Sequence, residues 1–108
     1  MANAFKNAQA VGVTSVTTIY TAPAAKDSII LELDISNTTA SAVTASVEVV
    51  DTSASTDAYI VKDAPIPVGG SLQVISGQKV ILERTDLIRV TASGACDAVC
   101  SILEDINS

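Results

Sequence analysis

Twelve Asp and Glu side chains are the most numerous groups in this 108-residue chain that can move a proton or hold a cation, and there is no His to work with them. His is the commonest general base and metal ligand, so its absence removes the usual partner from acid–base and zinc chemistry. Glu32, Asp34, Glu48 and Asp51 fall at outward positions of two alternating segments. If those segments pair, facing carboxylates would raise one another's pKa. A solvated strand face kept charged against edge pairing explains them more simply. Asp57, Asp63, Asp86 and Asp97 lie in or beside loops and could offer oxygens to Ca²⁺. None sits in the D-x-[DN]-x-[DN]-G spacing, and Asp also fastens turns through its own backbone. A nucleophilic Ser would need a Gly-x-Ser-x-Gly elbow and a His. Gly69-Gly70 lacks the Lys and the helix that follow a phosphate cradle. No catalytic residue, metal or cofactor is expected, and the chain reads as a non-enzyme.

Cys96 and Cys100 are the remaining reactive pair. In one extended strand, four residues separate Cα atoms by roughly 13 Å. A disulfide needs about 4.4–6.8 Å, so an intrachain bond would require a turn at Asp97-Ala98. Two readings stand: two small buried hydrophobes, or an interchain disulfide formed once the chain leaves a reducing cytoplasm.

Composition narrows the fold. Hydrophobic residues make up 48% of the chain but aromatics only 3%, namely Phe5, Tyr20 and Tyr59. Ala, Val, Ile, Thr and Ser fill the gap, and β-branched residues favour strands. The net charge of −6 argues against a grip on nucleic acid, which needs Lys and Arg against phosphate. Apolar runs such as Ile29-Ile30-Leu31 fall far short of the roughly 20 residues that span a bilayer. The start, Met1 to Ala8, is polar where a signal peptide needs an apolar stretch, so no export signal is expected.

Residues 1–10 lack alternation and read as an N-terminal arm, ordered only if something holds it; residues 11–108 read as one domain. Thr17 to Thr21 is a strand stopped by Pro23. Ser28 to Asn37 alternates most clearly, with Ile29, Leu31, Leu33 and Ile35 on one side and Ile30, Glu32, Asp34 and Ser36 on the other. Val43 to Val50 alternates too, and the five-residue polar loop between the two predicts a hairpin. Shorter strands are predicted at Ala58–Lys62, Ser71–Ile75, Lys79–Leu82, Asp86–Ala92 and Ala98–Leu103. Pro65-Ile66-Pro67 is extended. About eight strands without helical periodicity predict an all-β, antiparallel β-sandwich, Ig-like or jelly-roll-like.

Several phrases, in order along nearly the whole chain, carry a resemblance. They are Met1-Ala2-Asn3-Ala4-Phe5-Lys6-Asn7-Ala8, Thr18-Ile19-Tyr20-Thr21-Ala22-Pro23, Asn37-Thr38-Thr39-Ala40-Ser41, and Tyr59 through Leu72 with its Pro65-Ile66-Pro67-Val68-Gly69-Gly70 centre. The last is Lys79-Val80-Ile81-Leu82 leading to Asp86-Leu87-Ile88-Arg89-Val90-Thr91. Together they resemble a family of small virion proteins of tailed bacteriophages. The resemblance implies a β-sandwich subunit of the particle: a head decoration (cement) protein, or a neck, collar, tail or fibre-attachment component. Many of that family carry Gly where Thr85 stands, and small apolar residues where the cysteines are. The family has no active site to transfer. The expected function is a homo-oligomer, a trimer by preference, that binds the major capsid protein or other virion proteins on the capsid surface after synthesis in the host cytoplasm. No contact with nucleic acid or membrane is expected. The interface candidates are Phe5 and Lys6 of the arm, with Tyr20 and Tyr59, because aromatics suit interface pockets. A host-surface or carbohydrate-binding sandwich is the alternative from another class, with only Tyr20 and Tyr59 to stack on a sugar.

Overall fold

The computed structural model describes residues 4–104 and builds them from strands: β1 (Ala4–Val13), β2 (Thr17–Thr21), β3 (Ser28–Asn37), β4 (Val43–Asp51), β5 (Thr56–Ile66), β6 (Ser71–Leu82), β7 (Leu87–Ala92) and β8 (Cys96–Glu104). They form two four-stranded antiparallel sheets, in the orders β1-β8-β3-β6 and β2-β7-β4-β5. Strand 1 pairs with 8, 2 with 7, 3 with 6 and 4 with 5, which is one long hairpin rolled over on itself. Contacts between β8 and β3, and between β7 and β4, close the roll. This is a jelly roll, which settles the choice between the two expected sandwiches.

Aliphatic side chains fill the space between the sheets. Ile30, Leu33, Ile35, Val47, Ile66, Ile75, Leu82, Ile88, Val90 and Ile102 are fully enclosed; no aromatic ring is fully enclosed among the described residues, and Tyr20 packs against this core from its edge. A core of this kind lets the sheets lie close, and each large aliphatic removed from water contributes roughly 1.5–3 kcal/mol.

Five expectations need correction. Residues 4–10, read as an arm, are the first part of β1 and pair residue for residue with β8, from Ala4 opposite Glu104 to Ala10 opposite Ala98. They lack a hydrophobic alternation because β1 is an edge strand whose inward positions are mostly Ala. Residues 1–3 lie outside the described part.

Strands β3 and β4 do not form a hairpin. They lie in different sheets, and the loop between them crosses the sandwich. Buried Asn37 fixes the crossing: its Nδ2 donates to the Ser41 carbonyl at 2.8 Å and to the Ile66 carbonyl of the opposite sheet at 3.1 Å. Its Oδ1 accepts from the Thr39 amide at 2.8 Å.

The faces of β3 also differ from strict alternation. The register slips between Ile30 and Glu32 against both neighbours, so a bulge at Leu31 changes phase. Ile30, Leu33 and Ile35 point inward; Ile29 and Leu31 do not share their face. Finally, Ser71–Ile75 and Lys79–Leu82 are one strand interrupted by an irregularity, with Gly77 and Lys79 at positive φ. Likewise β5 runs four residues past Lys62 through Pro65, tolerated because β5 is an edge.

Thr85 takes φ 70° in the turn before β7, the conformation that Gly adopts freely. Its hydroxyl meets that of Thr52, and Asp86 ties the turn by accepting the Thr52 and Glu83 amides, each at 3.1 Å. A β-branched residue in this region is strained. Thr85→Gly is expected to raise the melting temperature by about 2–4 °C, since strain relief of roughly 1–2 kcal/mol outweighs glycine's extra unfolded entropy. A scanning calorimetry trace showing a fall would mean the Thr52 contact dominates.

Candidate functional site

The registers place four apolar side chains in one row across the outer face of the β1-β8-β3-β6 sheet. Phe5 is opposite Leu103, Leu103 opposite Ile29, and Ile29 opposite Ile81. Directly opposite residues on one face have Cβ atoms about 4.5–5.5 Å apart, so the row is continuous. Phe5 is 79% exposed and Ile81 65%, while Leu103 and Ile29 between them are half-buried by their neighbours. The bulge turns Leu31 outward beside the row. A shallow depression of 350 Å³ lies there, lined by Phe5, Lys6, Asn7, Leu31, Ser101 and Ile102. Single exposed aliphatics are ordinary; here four apolar side chains stand in one contiguous row with an aromatic at its end.

Next to the depression the same face turns acidic. Glu32 and Asp34 stand two apart on β3, and Asp34 Oδ1 is enclosed without a hydrogen-bond partner. The Asp34 carboxyl, by hydrogen bond and by charge, holds Glu32 above its ordinary pKa. Glu48 and Asp51, grouped with these two in the sequence, lie in the other sheet, so the four carboxylates do not face each other. A raised carboxyl contributes stability while protonated and loses it as pH rises through its folded value. Glu32→Gln is therefore expected to make the fold more stable at pH 7 and to leave it unchanged in acid, as urea midpoints at the two pH values would show.

Under the row, at the inner edge, a polar cluster joins both sheets. Tyr20 of β2 donates its hydroxyl to the Glu104 carboxylate of β8 and shares a 2.9 Å hydrogen bond with the Ser28 hydroxyl of β3. Lys6 of β1 reaches Glu104 Oε1 at 3.1 Å. Glu104 and Ser28 are buried. The Tyr20 hydrogen bond, followed by the Lys6 hydrogen bond and charge, keeps the Glu104 carboxyl below the usual range against the pull of desolvation. Burial, and then Glu104 itself, push the Tyr20 phenol up. Of the four interface candidates read from the sequence, Phe5 and Lys6 thus flank one surface, and Tyr20 turns its hydroxyl inward to brace it.

Tyr59, the fourth, stands apart on β5, in the opposite sheet. Its ring is 51% exposed, and Lys62 Nζ lies 5.2 Å from the ring centroid. Beside it, Arg89 binds Glu48 through Nε at 3.2 Å and Asp57 through Nη2 at 2.8 Å.

The remaining loop acids act as turn fasteners. Asp51, Glu83 and Asp86 bring carboxylate oxygens within 4.8 Å of one another. Asp51 Oδ1 already accepts from the Ser53 hydroxyl at 2.8 Å and from the Ser53 and Ala54 amides, and Asp86 holds the Thr85 turn. Asp97 Oδ1 accepts the Gly12 amide at 3.0 Å, and the Asp63 amide donates to the Ser46 hydroxyl at 2.9 Å.

Cys96 and Cys100 are free thiols on the inward face of β8, both fully enclosed. The strand runs straight through Asp97 and Ala98, without the turn an intrachain disulfide would need. Burial pushes the Cys100 thiol up to about 12 and raises Cys96 as well. The thiolate is the reactive form. A disulfide-exchange reagent at pH 8 is expected to leave the native chain untouched over hours and to titrate both thiols at once in guanidinium. Rapid labelling of the native protein would contradict this burial.

The chain matches no family model, and no curated protein matches it. Among solved structures, it resembles a protein from work on Bacillus endospore appendages, described as a novel family of disulfide-linked pili. The identity is 12% and the TM-score 0.52, covering 99% of this chain and 88% of that one. It also aligns with a chain from the structure of the infectious bursal disease virus Gx strain, at 9% identity and TM-score 0.42, over 100% of this chain and 38% of that one. The first likeness is one of fold.

Proposed function

We propose that this chain is a non-enzymatic structural subunit of a bacteriophage particle, and specifically a capsid decoration protein that sits as a homo-oligomer, a trimer by preference, on the major capsid protein lattice. The exposed Phe5–Leu103–Ile29–Ile81 row carries this reading. It is an exposed apolar row on a two-sheet body, with a shallow depression beside it. The resemblance of its sequence phrases to small tailed-phage virion proteins points the same way. The mechanism is repetition: weak contacts replicated by symmetry sum to high avidity and hold neighbouring capsid subunits together.

The direct test is cosedimentation of the purified chain with phage heads assembled without it. Saturable pelleting at a simple ratio to the capsid protein supports decoration. Failure to pellet with heads, with binding to isolated tails or necks instead, would move the subunit to that part of the particle. Binding to host cell envelopes alone would replace the reading with surface recognition.

A further inference from the structure

Two surface patches, on the outer faces of opposite sheets, are each incomplete in a way that the other completes. The first is the depression beside Leu31, 350 Å³ in volume; Glu32 stands opposite Ser101 of its lining, and Asp34 follows two residues on along β3. Among the described residues no Lys or Arg lies within ion-pair distance of either carboxylate, and Asp34 Oδ1 has no hydrogen-bond partner. The second is Tyr59, a half-exposed ring on an edge strand, with Lys62 over it at 5.2 Å and, among the described residues, no carboxylate on that ammonium. One side offers a hole walled by Phe5, Leu31 and Ile102 together with the polar Lys6, Asn7 and Ser101, and an acid pair with no cation on it among the described residues. The other offers an aromatic knob and an unpaired cation.

We propose that copies of this chain contact one another head to tail, with Tyr59 of one copy seated in the depression between Phe5 and Leu31 of the next and Lys62 of the first copy on the Glu32–Asp34 pair beside it. The inference rests on the reading of the chain as an assembled subunit and names the contact between its copies. Charge decides the head-to-tail arrangement. A two-fold contact through either patch would set the acid pair against itself, or Lys62 against Lys62, on a chain whose net charge is already −6. Like charges directly opposed are destabilising, whereas a heterologous contact joins unlike ones. Tyr at the centre and a charge pair at the rim match the usual division between anchoring and steering residues. A heterologous contact closes into a ring if its rotation allows and otherwise runs on as an open stack.

The test is sedimentation velocity of the purified chain at low ionic strength, with Tyr59→Ala, Glu32→Lys and Lys62→Glu. All three positions are on the surface, and circular dichroism checks the fold of each variant. The wild type is expected to self-associate, more weakly as salt rises. Each variant should weaken association at least tenfold. An equimolar mixture of Glu32→Lys and Lys62→Glu should recover it, because each supplies the charge the other needs. Wild-type-like association of the single variants, a mixture that stays dissociated, or a wild type that remains monomeric at millimolar concentration would overturn the contact. Pelleting with heads separates the two proposals. A wild type that binds heads but is monomeric keeps decoration and loses this contact; one that associates but ignores heads does the reverse.

Discussion

Glu104→Ala is expected to lower the free energy of unfolding by about 2–3 kcal/mol at pH 7, the range for losing a buried hydrogen bond to a charged group. The substitution removes the acceptor that ties Tyr20 of one sheet to β8 of the other, and the partner of Lys6. Tyr20 and Ser28 still bond each other, so the loss is not the whole cluster. Because the Glu104 carboxyl is held below its ordinary value, its contribution is complete above the unfolded pKa, about 4.3, and disappears as pH falls through the lower folded value. Wild type should therefore lose stability toward pH 3 more steeply than Glu104→Ala, and the two should converge. Parallel pH profiles in urea melts would show that Glu104 is not the group responsible.

Phe5→Ala should have the opposite profile: little effect on the fold and a large one on assembly. With the ring 79% exposed, its truncation is expected to change stability by less than about 0.5 kcal/mol. An anchor residue at an interface costs about 2 kcal/mol or more per contact when truncated, and repetition multiplies the loss. Retention of the variant on heads should fall by more than tenfold under washing that leaves wild type in place. Normal decoration by Phe5→Ala would mean that the apolar row is not the contact surface.

How much of this was legible in the sequence depended on where each residue sits. Thr17–Thr21 and Ser28–Asn37 were readable to the residue, because a Pro and polar clusters bound them and β-branched residues fill them. The bulge at Leu31 was not, since it arises from the simultaneous register with β6 and β8, and it decides which Ile is core and which is surface. β1 was hidden because an edge strand over a small inner space uses Ala where a central strand uses Ile. The hairpin inferred between β3 and β4 failed for a related reason. Alternation describes a strand's faces and not its partner, and Asn37 sends the chain across the sandwich.

The same limits apply to the exposed apolar row. Phe5 and Tyr59 stood out as rare rings, and both are exposed. Ile29, Ile81 and Leu103 looked like any core aliphatics, and only the pairing of β1, β8, β3 and β6 sets them in line. Glu104 was one acid among twelve until the fold brought Tyr20 and Lys6 to it. The two cysteines look like a disulfide candidate by count, yet β8 puts both in the core.

The most direct measurement of the central claim is the copy number of this chain in purified particles, by quantitative mass spectrometry against the major capsid protein. A ratio near one, or a simple fraction such as one-third, is predicted for a subunit that decorates the head lattice. A ratio of a few per hundred would contradict decoration and place the chain at the neck or tail, and its absence from particles would contradict a virion role altogether.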